Sequence, residues 1–382
     1  MRCLTVLLAM LFFLSAALGE TALPERTEMD EYVVARFNAR NVVGGAVMIA
    51  RKGEILYSYA FGHKNASRTW PVSLDTCFHA ASVTKMVSAV GLLQLLEQQE
   101  ISLDTPVKEI VGFPVVNPSF PEIPITIRQV LSHTSGIAET QYLKPNWEML
   151  PVENRYFSST HAPGTAYEYS NLNGGLIGAM IEALSGQSVN TYMQEHVFEP
   201  LGINAAYHAA LLPDQSDISA KLKKNGLIYR SAAKELETFA AYDDSCDPRA
   251  HTNITSGALY ISPKGLLRMV MLLENGGALD GVRILREETV QQMLQEQHLI
   301  PGSSVRAESP YGLCVNRVTN MPGGLWYGHQ GRWQGLSCNG YFQPDTGLCV
   351  VVIANGYSAQ TIDGVVSIAR VFMERAQAYL ME

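Results

Sequence analysis

Three short clusters in this chain combine residue types that can carry out acyl transfer. The first is Ser82-Val83-Thr84-Lys85, which follows Thr76–Ala81 and opens an apolar run. A serine at a helix N-terminus has its Oγ exposed and unpaired backbone N–H groups nearby. A residue three positions on lies on the same helix face, one turn away. Serine is a weak nucleophile and needs an adjacent base. Lysine can be that base if its surroundings lower its pKa from about 10.4 toward about 7, a change of about 4 kcal/mol. The plainer reading makes Ser82 a helix cap. S-x-x-K alone is a weak signal, since Ser231-Ala232-Ala233-Lys234 repeats it in a polar stretch.

The second cluster is Tyr169-Ser170-Asn171, after Pro163-Gly164. A tyrosine beside a serine–lysine pair can relay a proton to a leaving group. An asparagine offers a donor and an acceptor to a substrate amide. Taken alone, the pattern reads equally as a turn with a buried tyrosine and an asparagine cap. The third cluster is His329-Gln330-Gly331 on an expected strand. A glycine there lets a ligand approach the strand backbone. Histidine titrates near pH 6.5, so a protonated His329 would anchor a substrate carboxylate, whereas a neutral one would be a hydrogen-bonding wall residue. Lys224-Asn225-Gly226 resembles a lysine version of the triplet but follows Asn171 too soon.

The elements that must position these residues follow from periodicity and turn chemistry. Helices are expected at 28–42, 86–99, 127–131, 176–185, 266–274, 287–295 and 362–380. Strands are expected at 46–50 and 54–61, joined at Arg51-Lys52-Gly53, and at 311–318, 326–331, 336–342 and 348–354. Pro344-Asp345-Thr346-Gly347 turns between the last two. Residues 204–253 are polar and irregular, as in a lid or surface insertion. Strands at both ends and helices between them predict an α/β (α+β) chain. One antiparallel sheet, flanked by the terminal helices, would carry an inserted helical subdomain, with a cleft between the two parts.

Composition narrows the class. With 47% hydrophobic and 17% charged residues, the 382-residue chain is expected to fold around a large core. Net charge is −8 with no run of five like charges. A nucleic-acid groove or an anionic-membrane patch is therefore not expected. Residues 1–19 read as a secretory signal peptide: Arg2, an apolar stretch from Leu4 to Leu18, and Ala17-Leu18-Gly19 before Glu20. The expected mature chain, 20–382, is a single exported domain, periplasmic or secreted, without a membrane span. Its sheet part is about 28–80 and 255–382, and its helical part about 81–254. Five cysteines remain after residue 19, so at least one stays free or pairs between chains. Sequence leaves the pairing and the oligomeric state open. No metal-ligand spacing is present.

The three clusters, in this order and separation, resemble the serine β-lactamase and penicillin-binding-protein superfamily. The closer likeness is to the branch of class C β-lactamases, DD-peptidases and esterases. Further marks are Leu131-Ser132-His133-Thr134-Ser135-Gly136, Pro200-Leu201-Gly202, Thr255-Ser256-Gly257 and Tyr311-Gly312-Leu313. The likeness spans about residues 28–380. It implies a β-lactamase/transpeptidase-like fold and a serine hydrolase without metal or organic cofactor. It implies Ser82 as the acylated nucleophile, Lys85 as base and Tyr169 as proton relay. The backbone N–H groups of Ser82 and Arg332 would form the oxyanion hole, while Asn171, His329 and Gly331 would line the substrate. His133 would be structural. The His-Gln-Gly triplet, in place of Lys-Thr-Gly, implies a DD-peptidase or D-amino-acid peptide hydrolase acting on a small molecule or a peptidoglycan peptide. An esterase or weak class C-type β-lactamase comes second, and a non-catalytic penicillin-binding sensor is the rival from another class. Gln330 replaces the usual Thr or Ser, which puts that side chain's substrate contact in question.

Overall fold

Gly44–Arg51 (β1) carries apolar side chains on both faces, and its neighbours explain why. Val47 and Ile49 pack with Val350 and Val352 on one side, and Met48 and Ala50 pack with Val351 and Ile353 on the other. Such a strand must be covered twice. The computed structural model describes residues 27–138, 147, 156–240, 242–250, 253–297, 311–321 and 323–378. The expected signal peptide at 1–19 lies outside them.

Strands β1, Glu54–Gly62 (β2), Asn316–Val318 (β3), Trp326–Trp333 (β4), Leu336–Gln343 (β5) and Leu348–Asn355 (β6) form one antiparallel sheet. Its order is β3-β4-β5-β6-β1-β2, so the two ends of the chain meet at the β6–β1 pair. Thr27–Asn38 (α1) and Ser367–Ala378 (α5) cover one face. Phe37 and Phe372 meet edge-on there, with ring centroids 5.8 Å apart. Pro263–Glu274 (α4) covers the other face through Leu266 and Val270. Beyond it lie Val83–Gln98 (α2) and Asn171–Ser185 (α3), both dominated by buried residues.

Several boundaries differ from the expected ones, each for a local reason. The first helix stops at Asn38 rather than 42, and Asn41 turns with φ 54°. Strand β3 begins at Asn316 rather than 311, because Cys314 takes φ 54° and Gly312 N–H turns back to Val315 O. The closing helix starts at Ser367 rather than 362, after a small hairpin around Asp363 and Gly364. Helix α3 starts at Asn171 rather than 176, since the Ser170 hydroxyl accepts the Leu172 N–H and caps it. The 204–253 stretch contains a hairpin, Lys221–Leu222 with Ile228–Arg230, and a helix at Ala232–Phe239. The five cysteines after residue 19 are all free thiols among the described residues, and only Cys246 is exposed.

Phe372 is fully buried between α1 and the sheet. Phe372→Ala should lower the unfolding free energy by about 3–5 kcal/mol, the usual cost of emptying a buried aromatic site. Urea denaturation followed by circular dichroism measures this, and a loss below about 1 kcal/mol would mean that the terminal helices are not held by this contact.

Candidate functional site

Ser82 sits where a short strand gives way to α2. Phe78–His79 pairs with Tyr260–Ile261, and Ala80 N–H continues the contact to Leu259 O. The chain then turns sharply, with Ala81 at φ 48°. Left-handed backbone costs a residue with a Cβ about 1–2 kcal/mol. Thr84 fixes the turn: its hydroxyl donates to Ala81 O at 2.6 Å and accepts the Leu259 N–H at 3.2 Å. Ser82 precedes the helix, yet its side chain makes no capping hydrogen bond. Its N–H has no acceptor among the described residues.

Lys85 lies one turn on and is fully buried. Its Nζ donates to Ser256 O at 2.6 Å, to Asn171 Oδ1 at 2.8 Å and to Ser82 Oγ at 3.4 Å. The last contact is long, as such contacts often are before substrate binds. The Tyr169 ring centre lies 5.1 Å from Nζ. Behind it the His133 ring packs at 4.3 Å. His133 Nδ1 accepts the Ser170 N–H at 3.3 Å, so His133 braces the Tyr169 segment. Burial first, then the Lys85 charge, hold its pKa well below the ordinary range.

Strand β4 closes the other side. A Cβ on Gly331 would stand 2.1 Å from Ala80 O and 3.0 Å from Ser82 N. The glycine is needed because the serine's own loop, rather than a ligand, approaches the strand. His329 is 2% exposed, with Nε2 bonded to Tyr311 Oη at 2.9 Å and Nδ1 to Gln330 O at 2.8 Å. Burial and then the Lys85 charge depress its pKa to about 3. The geometry therefore favours the neutral wall over the carboxylate anchor. Gln330 points to the opposite face, where it donates to Gly364 O at 2.6 Å and accepts the Val366 N–H at 2.8 Å. It ties β4 to the following hairpin.

Ser82, Asn171 and Arg332 border one cleft of about 260 Å³, with His79, Tyr260 and Trp333. His208, Lys221, Glu235 and Phe239 supply its far wall. The expected surface insertion is thus a wall of the cleft. Glu235 anchors that wall, bonding Lys221 at 2.7 Å and Arg230 at 3.1 Å. The second S-x-x-K is separate: Ser231 Oγ accepts the Lys234 N–H and caps a surface helix.

Sequence reasoning missed Thr84, the Ser256 carbonyl and Gly174. A Cβ on Gly174 would meet Lys85 Cε at 2.8 Å and Ser256 Cα at 2.9 Å. The visible signals were the Thr255-Ser256-Gly257 mark and the Gly174-Gly175 pair just before the expected helix.

Comparison with known proteins gives the family and the fold. The Beta-lactamase family model matches residues 29–364. Penicillin-binding protein 4* of Bacillus subtilis is 28% identical over 45% of this chain and 40% of its own length. The chain thus aligns with less than half of that relative. Penicillin-binding protein 4 of Amycolatopsis lactamdurans is 25% identical over 84% of each chain. Esterase EstB of Burkholderia gladioli is 30% identical over 46% of this chain and 50% of its own. Among solved structures, an octameric penicillin-binding protein homologue from Pyrococcus abyssi has TM-score 0.71 at 22% identity, covering 94% of this chain and 77% of its own. A class C beta-lactamase has TM-score 0.69 at 17% identity, covering 94% and 96%. A D-stereospecific amidohydrolase from Streptomyces has TM-score 0.61 at 20% identity, covering 83% and 91%.

Two tests follow from the geometry. Gly174→Ala should push Lys85 off its three acceptors and lower kcat by about 10²-fold, the scale of a small misplacement. Retained circular dichroism with an unchanged kcat would show that Lys85 has room to spare. The second concerns pH. The folded pKa of His329, about 3, lies below its ordinary 6.5, so the group favours the fold above about pH 6.5 and that contribution is lost as the pH falls toward 3. Between about pH 5 and 8 it stays neutral. Matched carboxylate and neutral-ester substrates should then give parallel kcat/KM profiles. A divergence with a midpoint near 6.5 that disappears in His329→Gln would restore the charged anchor.

Proposed function

The chain belongs to the beta-lactamase family, and on that footing we propose that it is an exported serine hydrolase that works through a Ser82 acyl-enzyme. Its first substrate class is D-amino-acid peptides or amides. The observation that carries the reading is Lys85 Nζ within reach of Ser82 Oγ, steadied by Asn171 and the Ser256 carbonyl.

Lys85 first gives up one proton to solvent, and Ser82 Oγ then attacks the substrate carbonyl carbon while the neutral Lys85 amine takes the hydroxyl proton. The carbonyl oxygen becomes an oxyanion between the Ser82 and Arg332 N–H groups, an arrangement that contributes several kcal/mol in acyl-transfer enzymes. As the carbon–nitrogen bond breaks, Tyr169 passes a proton to the leaving amine. Water then attacks the acyl-enzyme, its proton goes to the Lys85–Tyr169 pair, and Ser82 is regenerated. Asn171 holds Lys85 and borders the cleft where the substrate amide lies.

Support for D-amino-acid substrates comes from the His-x-Gly triplet, the apolar leader, the two penicillin-binding-protein relatives and the D-stereospecific amidohydrolase fold. The neutral His329 favours a second reading, an esterase, because it puts no cation on β4 for a terminal carboxylate.

Incubation with a fluorophosphonate or labelled penicillin, followed by peptide mapping, should place the adduct on Ser82. Lys85→Ala and Tyr169→Phe should each lower turnover of D-alanyl peptides and p-nitrophenyl esters by about 10²-fold or more. An adduct on Ser231, or near wild-type rates in both variants, would overturn the assignment. A stoichiometric burst without steady-state turnover would mark a penicillin-binding sensor instead.

A further inference from the structure

Four of the eight large apolar side chains that are exposed among the described residues lie on two segments joined beside the cleft. The hairpin 221–230 carries Leu227 at 60% exposure, Ile228 at 50% and Tyr229 at 42%. The loop 64–70 carries Trp70 at 60%. The two are fastened together: Ala220 N–H donates to Lys64 O, Lys64 Nζ pairs with Asp217 at 2.6 Å, and Ala66 packs against Ala220 and Leu222. Exposed apolar side chains grouped this way mark an interaction surface.

Charge identifies the partner. Residues 64–70 contain Lys64 and Arg68, and residues 221–234 contain Lys221, Lys223, Lys224, Arg230 and Lys234; of these, Lys64, Lys221, Arg230 and Lys234 pair with Asp217, Glu235 and Glu237. This grouping of cations stands out in a chain of net charge −8. Lys223, Lys224 and Arg68 are exposed and make no ion pair among the described residues. The sequence expectation against an anionic-membrane patch rested on the net charge of −8 and on the lack of a run of five like charges. Here the cations alternate with apolar residues and are gathered only by folding. An aromatic and aliphatic tip ringed by lysine and arginine suits the boundary between lipid headgroups and acyl chains.

We propose that this face docks on an anionic lipid bilayer. Trp70, Leu227, Ile228 and Tyr229 enter the headgroup region, and Arg68, Lys223 and Lys224 meet lipid phosphates. The docking is peripheral, since no helix among the described residues is long and apolar enough to cross a membrane. It also aims the cleft. Tyr229 meets Trp333 edge-on at 6.4 Å, Gly335 N–H bonds Leu222 O at 3.1 Å, and Trp333 lines the Ser82 cleft. Docking sets the cleft mouth near the bilayer, within reach of substrates with a membrane-held portion.

The test reads tryptophan quenching by vesicles with brominated acyl chains. Of the chain's four tryptophans, Trp147 and Trp326 are fully buried and none lies in residues 1–26. The apolar N-terminal stretch itself therefore carries no reporter, and tethering by it alone would leave quenching equal in wild type and paired variants. Vesicles of phosphatidylcholine with about 30% phosphatidylglycerol should quench the wild type, and phosphatidylcholine alone should quench it far less. Trp70→Phe should remove most of the effect. Paired changes, Lys223→Gln with Lys224→Gln or Leu227→Ser with Ile228→Ser, should weaken binding about tenfold or more, with soluble p-nitrophenyl ester turnover retained as proof of folding. Three results would overturn the proposal. One is no quenching by either vesicle, and another is equal quenching in wild type and paired variants. The third is concentration-dependent self-association, lost in the Leu227/Ile228 variant without lipid quenching, which would assign the face to a second copy of the chain.

Discussion

The close approach of β4 to the Ala80–Ser82 backbone is the constraint on which the cleft depends. Gly331 has no side chain, so the strand edge lies directly against the turn that carries Ser82. Ala81 accepts a left-handed backbone there, and the doubly bonded Thr84 hydroxyl holds it. The turn aims Ser82 Oγ into the cleft without using it as a helix cap. It also brings the Ser82 N–H to the end of β4, where the Arg332 backbone follows Gly331. The proposed nucleophile and the proposed oxyanion donors are thus set by one backbone contact between the sheet and the helical part.

Lys85 shows a second use of the same economy. Its Nζ is held by oxygens from three separate segments, at residues 82, 171 and 256. The three segments are also fastened to one another. Thr84 secures the first, the Ser170 cap the second, and Thr255, bonded to Gly174 O at 2.6 Å, the third. Gly174 leaves the space that the lysine stem fills. An ammonium in a dry interior needs such acceptors, because an unsatisfied buried charge costs several kcal/mol.

The alternation of a strand sorts the third cluster into separate tasks. Along β4, His329 faces Tyr311, Gly331 faces the Ala80–Ser82 turn and Trp333 lines the cleft, while Gln330 faces the terminal-helix side. The triplet is therefore a wall residue, a tether and a point of close approach. The neutral imidazole of His329 bonds Tyr311, whose ring also packs near His133, at 5.2 Å. A chain of rings, buried at His329, Tyr311 and His133 and ending at the exposed Tyr169, stiffens one side of the site, and the salt-bridged insertion around Glu235 gives the cleft another wall.

Sequence by itself determined the sheet and the order of the clusters. Periodicity and turn residues mark the strands of β1, β2, β5 and β6, because apolar runs bounded by Lys52-Gly53 or Pro344–Gly347 have few other uses. Spacing singles out Ser82 and Lys85, because one helical turn brings them to the same face. Helix starts at 171 and 367 were less visible, since a serine cap and a small hairpin set them. What tertiary structure alone decided are the contacts between distant segments. For the Ser256 carbonyl on Lys85, Gly174 beneath it and the charged wall of the insertion, the local pattern marks residues at most and does not say what they touch. The protonation state of His329 belongs here too. A histidine on a strand can be either charged or neutral, and only its burial beside Tyr311 and near the Lys85 ammonium removes the proton. Local pattern encodes which element forms, while desolvation and charge depend on what the fold brings alongside.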